Sequence, residues 1–442
     1  MSHTHPQKSR LTVSVCRRAC VGLAAAGLLA VPVAVPVSGA ATYAAQPTPQ
    51  PTATAQPSPA GDFPVLDDAV KAKLDAAVRD VMKKAAVPGV VVGLWAPGKG
   101  AYVRAFGVAD KLTGAPMTPN VYQRIGSETK MFTVTALLQL AEQGKVGLDD
   151  PIGKYIADVP NGDRVTLRQL AGMRSGLLSY TQTDSFFKAL TSDPQGSFTP
   201  QQLLGYAFDA PKPVLFEPGT EFNYSNTNLI LLGLVVEKIS GQPLGAYIRD
   251  HILNPAGMSR TSFPQGAEFP APHAQGYTNQ TASGKTEDAT DWNPSWGWAA
   301  GAMISDLRDL RSWGKTVATG VFPDGKRMIS PEMQKQRLTT PPTVIPGAGY
   351  GLGIFDVQGW IGHNGSLPGY QTITMYLPEE QATLVVMLNT DISYGPQQEE
   401  PSTLFGQAIT QIVTPDHVYN LPPAVQQGTK PPSSPPPASP AS

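Results

Sequence analysis

The sequence predicts a mixed α/β (α+β) fold: an antiparallel sheet built from N- and C-terminal segments, flanked by helices, with a mostly helical subdomain inserted between them. Three observations carry this prediction. Two strand-like runs, GVVVGLWA and GAYVRAFGVA, stand near residue 90, and four more stand after residue 349. Between about residues 127 and 295 the pattern changes to helices and loops. A chain of 442 residues, 41% hydrophobic and 15% charged, can enclose the core that such a fold needs.

Taken in order, Leu66 to Ala86 reads as an amphipathic helix that stops before Pro88-Gly89. The first two strands follow, joined through a tight Pro97-Gly98 turn. Gly126 lets the chain turn into a helix that carries Ser127 and Lys130 and stops at Gly144. On that helix Lys130 shares the apolar stripe of Val134, Leu137, Leu138 and Ala141, while Glu128, Thr135, Gln139 and Glu142 lie largely opposite. Thr199-Pro200 opens another helix, and NLILLGLVVEKISG forms one that ends at Gly241. The strands YGLGIF, GWIGHNG, YQTITMYL and ATLVVMLNT come next, and a helix near 402–413 closes the folded part. The site is expected at the seam between sheet and insertion.

The two ends have other compositions. Lys8, Arg10, Arg17 and Arg18 precede an apolar run from Ala19 to Val37, and Ser38-Gly39-Ala40 offers a cleavage site. Residues 1–40 therefore read as a secretory signal peptide, because Pro32, Pro36 and the small-residue exit fit cleavage better than a membrane anchor. Residues 41–61 form a Pro/Thr/Ala-rich linker, 62–421 the folded domain, and 422–442 a Pro-rich, unpacked tail. The mature protein is expected outside the cell or in its envelope, with no stable membrane span.

Composition also excludes several classes. Cys16 and Cys20 both fall in the leader, which leaves the mature chain without a disulfide or a cysteine metal site. Without the leader and linker the chain keeps 29 Lys and Arg against 34 Asp and Glu, a net charge near −5 that gives no footprint for nucleic acid. His251, His273, His363 and His417 show no close ligand spacing, so no metal or other cofactor is expected. No G-x-S-x-G elbow occurs, which disfavours an α/β-hydrolase.

Chemistry is suggested first by IGSETKMFT. Ser127 near the helix start sits in the positive end of the helix dipole, and Lys130 one turn later is its nearest partner. An unpaired ammonium on an apolar stripe must snorkel, find partners, or lose its proton more easily than in water. The spacing alone is weak, because S-x-x-K also occurs at Ser185–Lys188 and Ser312–Lys315. There Gly314 is expected to weaken any helix shared by Ser312 and Lys315, and Ser185 falls in a loop-like stretch.

In the order IGSETKMFT, GKVGLDDPIGKYI, TLRQLAGMRSGL, PGTEFNYSNTNLILLG and GHNGSLPGY, the chain resembles the serine β-lactamase and penicillin-binding superfamily over residues 66 to 413. The resemblance points to the branch of class C β-lactamases, D-Ala-D-Ala carboxypeptidases and related esterases, with a β-lactamase/transpeptidase-like fold. It implies Ser127 as the acylated nucleophile, Lys130 as its partner, Tyr224 as the second-motif tyrosine, Asn226 as a substrate-amide contact and His363 to Gly365 as the third motif. Backbone N–H groups of Ser127 and Ser366 would then stabilise the oxyanion. A desolvated Lys130 and the Tyr224 phenol can take the Ser127 proton and return it to the leaving group. The expected enzyme is a secreted D-Ala-D-Ala carboxypeptidase-like hydrolase acting on peptidoglycan peptides; an esterase, a weak β-lactamase or a non-catalytic wall-binding protein stays open. Histidine replaces the Lys-Thr-Gly lysine, and YGLGIFDVQGWIG holds no cation, so a carboxypeptidase would need His363 in its cationic form, or another cation, to grip a substrate carboxylate.

Overall fold

The computed structural model describes residues 63–422. The proposed leader and linker, with both cysteines, lie outside the described residues, as does all but the first residue of the proposed tail. Helix α1 (Asp68–Ala85) starts with the Asp67 side chain accepting from Val70 N–H and ends in a left-handed Ala86. It leads into β1 (Gly89–Ala96) and β2 (Gly100–Gly107), which pair antiparallel.

The rest of the sheet comes from the far end of the chain, as β3 (Ala348–Tyr350), β4 (Phe355–Val357), β5 (Trp360–Leu367), β6 (Tyr370–Leu377) and β7 (Ala382–Leu388). The strand order is β2-β1-β7-β6-β5-β4-β3, and every pairing is antiparallel. The two ends of the chain therefore meet in the middle of the sheet, where Val90 faces Leu388 and Leu94 faces Leu384. Strands β6 and β7 are buried on both faces, which accounts for their near-continuous apolar sequences.

Each face is covered by a helix from the C-terminal third. Helix α4 (Leu307–Thr319) brings Gly314 against the methyls of Thr374 and Thr383, whereas α5 (Pro401–Val413) brings Gly406 over Ile373. Thr374 and Ile373 are neighbours on one strand, so the two helices lie on opposite faces. Between β2 and β3 runs the helical insertion, whose centre is α2 (Thr129–Glu142) packed on α3 (Asn226–Ser240). Among the described residues no single helix is long and apolar enough to cross a membrane.

Four details differ from the sequence expectation. YGLGIF is two strands, since the chain doubles back between Tyr350 and Phe355 through Gly351 and Gly353. Helix α2 is not amphipathic in its surroundings: Glu128 and Thr135 are fully buried along with Lys130, because sheet, α3 and the segment around Ala300 enclose it. Ser185 and Lys188 lie on a regular helix, Asp184–Ser192, capped by Thr183. Ser312 and Lys315 also share a helix, α4, in which Gly314 is the residue that lets the helix approach the sheet.

Candidate active site

Ser127 sits in a single 3₁₀ turn, Gly126–Glu128, that runs into α2. The turn is pinned between the sheet and its own helix. Gly126 has φ +51°, and a Cβ there would lie 2.9 Å from the backbone nitrogen of Ser366. A Cβ on Gly365 would lie 1.9 Å from the carbonyl oxygen of Ile125. Two glycines, 239 positions apart in sequence, thus let β5 meet the Ser127 turn backbone to backbone. That contact brings the Ser366 N–H next to the serine, where two backbone donors can flank one oxygen.

Lys130 is fully buried. Its Nζ lies 2.8 Å from Ser127 Oγ and donates to the Ala300 carbonyl at 2.8 Å. Among the described residues no carboxylate bonds to it. Burial accordingly pushes its pKa well below the usual lysine value, toward a neutral amine that can accept a proton. The Tyr224 ring lies 4.8 Å from Nζ, and its phenol is within hydrogen-bonding reach of Ser127. Burial raises that phenol far above its ordinary value, so it stays protonated, with a proton to give.

Tyr224 is placed by a segment that wraps the start of α3. Thr166 and Gln169 form a reciprocal cap on a short helix, and the chain then turns through Met173 and Ser175. Asn223 N–H donates to the Met173 carbonyl, and Ser175 Oγ donates to Asn228 Oδ1 at 2.7 Å. Ser179 Oγ accepts the Asn226 N–H at 3.1 Å, and Asn226 Nδ2 donates to Thr181 Oγ1 at 3.1 Å. The stretch from Thr166 to Thr181, which begins with TLRQLAGMRSGL, is therefore the clamp that fixes Tyr224 and Asn226.

His363 points from β5 into an aromatic box of Tyr224, Tyr350 and Phe355. It is fully buried; Nε2 is 3.2 Å from the Tyr350 hydroxyl and Nδ1 is 2.5 Å from the Asn364 carbonyl oxygen. Burial, and then the nearby Lys130, lower its pKa to about 3. This corrects the expectation of a cationic His363: the ring is a neutral hydrogen-bonding wall of the site, enclosed where a charge costs too much.

Ser127, Lys130, Tyr224 and His363 thus converge, with Gly365 and Ser366 on the adjoining strand and Asn226 held beside Tyr224. Sequence reasoning missed the Ala300 carbonyl, the Tyr350 hydroxyl and the carboxyls of Glu128 and Glu400. Glu128 could have been suspected, because it adjoins Ser127; the other three give no local signal. Its carboxyl faces the hydroxyls of Thr372 and Thr374 without a well-aligned hydrogen bond to either, and burial raises its pKa to about 8. Among the described residues no group of three or more His, Cys, Asp or Glu side chains could hold a metal ion.

Residues 74–405 match the beta-lactamase family. The chain belongs to that family. This fold is built by a family of serine hydrolases, with penicillin-binding proteins and D-amino acid amidases as neighbours. One relative is PbpX of Bacillus subtilis (strain 168), a penicillin-binding protein by name, which is 25% identical over 286 residues. That match covers 65% of this chain and 66% of PbpX, so the chain spans just under two thirds of that relative. Among solved structures, a D-stereospecific amidohydrolase from Streptomyces sp. superposes with a TM-score of 0.66 and 28% identity, covering 77% of this chain and 98% of the other. The D-amino acid amidase from Ochrobactrum anthropi SV3, complexed with L-phenylalanine amide, gives a TM-score of 0.64 and 26% identity, covering 79% and 97%.

Proposed function

We propose that this protein is an exported serine amidohydrolase that cleaves small D-configured amides or peptides through an acyl-enzyme on Ser127. The observation that carries the reading is the enclosed lysine: Lys130 Nζ is 2.8 Å from Ser127 Oγ, with burial holding it toward the neutral amine. Neutral Lys130 takes the Ser127 proton as Oγ bonds to the carbonyl carbon. The oxyanion lies between the N–H groups of Ser127 and Ser366. As the carbon–nitrogen bond breaks, Tyr224 gives its proton to the departing nitrogen and recovers one from Lys130. Water then repeats the sequence on the ester, releasing the acid and restoring Ser127.

The basic and apolar leader read in residues 1–40 supports export. Amides are favoured over D-Ala-D-Ala ends because His363, the expected carboxylate grip, is neutral and enclosed. Two solved structures of similar architecture are a D-stereospecific amidohydrolase and a D-amino acid amidase.

The test supplies the full chain with D- and L-phenylalanine amide, an N-acyl-D-Ala-D-Ala peptide, a chromogenic cephalosporin and a p-nitrophenyl ester. Ammonia release from the D-amide that disappears in Ser127→Ala is the expected result. Turnover of the D-Ala-D-Ala peptide instead returns the carboxypeptidase reading, and turnover of the ester alone returns the esterase one. No acylation by any of them leaves the wall-binding reading.

A further inference from the structure

The Ser127 chemistry leaves two buried carboxyls near it without a task, those of Glu128 and Glu400, and Glu400 is the one beside Ser366. Glu400 is the residue before α5, the helix that packs on β6 and β7. Ser402 N–H donates to Gln371 Oε1 at 3.0 Å, and Gln371 is the cross-strand partner of Ser366. The Glu400 carboxyl is within hydrogen-bonding reach of Ser366, and its charge acts on the Tyr224 phenol. Its Oε2 is enclosed and has no hydrogen-bond partner. The titratable groups coupled to it, Asp391, Tyr419 and Tyr224, are all acidic, and none brings a cation.

Asp391 is already occupied with Gly369 N–H and with the side chains of Thr278 and Gln280. Among the described residues Ser366 is the one hydrogen-bonding neighbour of the Glu400 carboxyl. Burial and then Asp391 raise its pKa to about 8, a cost that an arriving cation reverses. In an α-amino amide the amine is one carbon from the carbonyl that Ser127 attacks. With that carbonyl oxygen at the Ser366 N–H, the amine falls beside the groups surrounding Ser366.

We propose that Glu400 receives the protonated amine of the substrate, so that the enzyme selects D-amino acid amides or short peptides with a free amino terminus. This deepens the amidohydrolase reading and rests on it. The same carboxyl discourages a substrate that would bring its own carboxylate to this side of the cleft.

Two substrate pairs test it on the full chain at one pH: D-phenylalanine amide with its N-acetyl form, and D-phenylalanine methyl ester with its N-acetyl form. The measured quantity is the ratio of kcat/KM for free over acetylated substrate. Wild type should favour the free amine about ten- to hundredfold, the range of a charge-assisted hydrogen bond. Glu400→Gln should bring the ratio close to unity, and Glu400→Asp should retain part of the preference, with melting temperatures confirming folded variants. A wild-type ratio near unity overturns the assignment. So does a Glu400→Gln effect equal for both members of a pair, which marks a structural role. Cleavage of the esters but not the amides, with the ratio still carried by Glu400, refutes the amidase reading and retains the ammonium site. Turnover of neither pair overturns both.

Discussion

Ser127–Lys130 and Ser312–Lys315 are the same four-residue pattern on two helices, and only one of them has the surroundings for chemistry. Lys315 is exposed on α4, where an ammonium keeps its hydration. Lys130 is enclosed between α2, the sheet and the Ala300 segment, with a hydroxyl and a carbonyl as its hydrogen-bonding neighbours. Ser312 lies inside its helix, whereas Ser127 precedes α2 with its N–H free of the helical ladder and close to the Ser366 N–H. Spacing brings a serine and a lysine to one face; burial decides whether the lysine can act as a base.

The sharpest break between the two copies is at the serines. Ser127→Ala should lower turnover about ten-thousandfold, as loss of an acylated nucleophile does, while Ser312→Ala and Ser185→Ala should match wild type. Peptide mapping of a penicillin or amide-derived adduct to either of the other serines would erase the distinction. Next come the lysines. Lys130→Met should lower acylation about a thousandfold and hold or raise the melting temperature, because methionine fills similar volume without a desolvated amine. Lys315→Met should change neither, and normal turnover by a folded Lys130→Met protein would show that burial is not what matters.

Tyr224→Phe keeps the ring over Lys130 and removes the phenolic proton, so a loss of about a hundredfold is expected in amide cleavage. The loss should be smaller for an ester with an acidic leaving group, which needs no proton; equal losses would place Tyr224 outside proton transfer. A subtler measurement is the pH profile. Acylation should rise with pH as Lys130 loses its proton, reaching its plateau well below the ordinary lysine value of 10.5. Since His363 is held at about 3, no step belonging to it should appear near 6.5, and a step there that vanishes in His363→Asn would contradict the enclosed ring.

The smallest effect concerns Glu128, the buried neighbour that the exposed copies lack. Its pKa rises from 4.5 to about 8 on folding. The folded protein therefore holds a proton that the unfolded chain releases between those values, so stability is full below about 4.5 and falls as pH rises toward 8. Glu128→Gln should flatten that decline in melting temperature, with Glu400, also at about 8, sustaining the remaining slope. An unchanged slope would mean that the Glu128 carboxyl is solvated.

How much of this could be read from the chain alone depends on the range of the interaction. Strand and helix order follows from patterns within ten or fifteen residues, and those of β1, β2, β5, β6, β7, α1, α3 and α5 are local enough to read. The turn at Gly351 to Gly353 was hidden inside an apolar run, and the burial of Glu128 and Thr135 was hidden by a polar face that elsewhere would meet water. Ala300, Tyr350 and Glu400 carry no signature, since each matters only through a contact beyond its own element: Ala300 with Lys130, Tyr350 with His363 and Glu400 with Ser366.

By itself the sequence determined the order of elements, the meeting of both chain ends in one sheet, and a serine, lysine and tyrosine of suitable chemistry in suitable order. Tertiary structure alone decided which of three S-x-x-K copies is enclosed. It also decided that Lys130 and His363 favour their neutral forms and that Glu400 stands beside Ser366 without a cation. The physical reason is that a protonation state is set by desolvation and by the nearest charges, and both depend on groups that the fold brings together, as it does Lys130 and Ala300 across 170 positions.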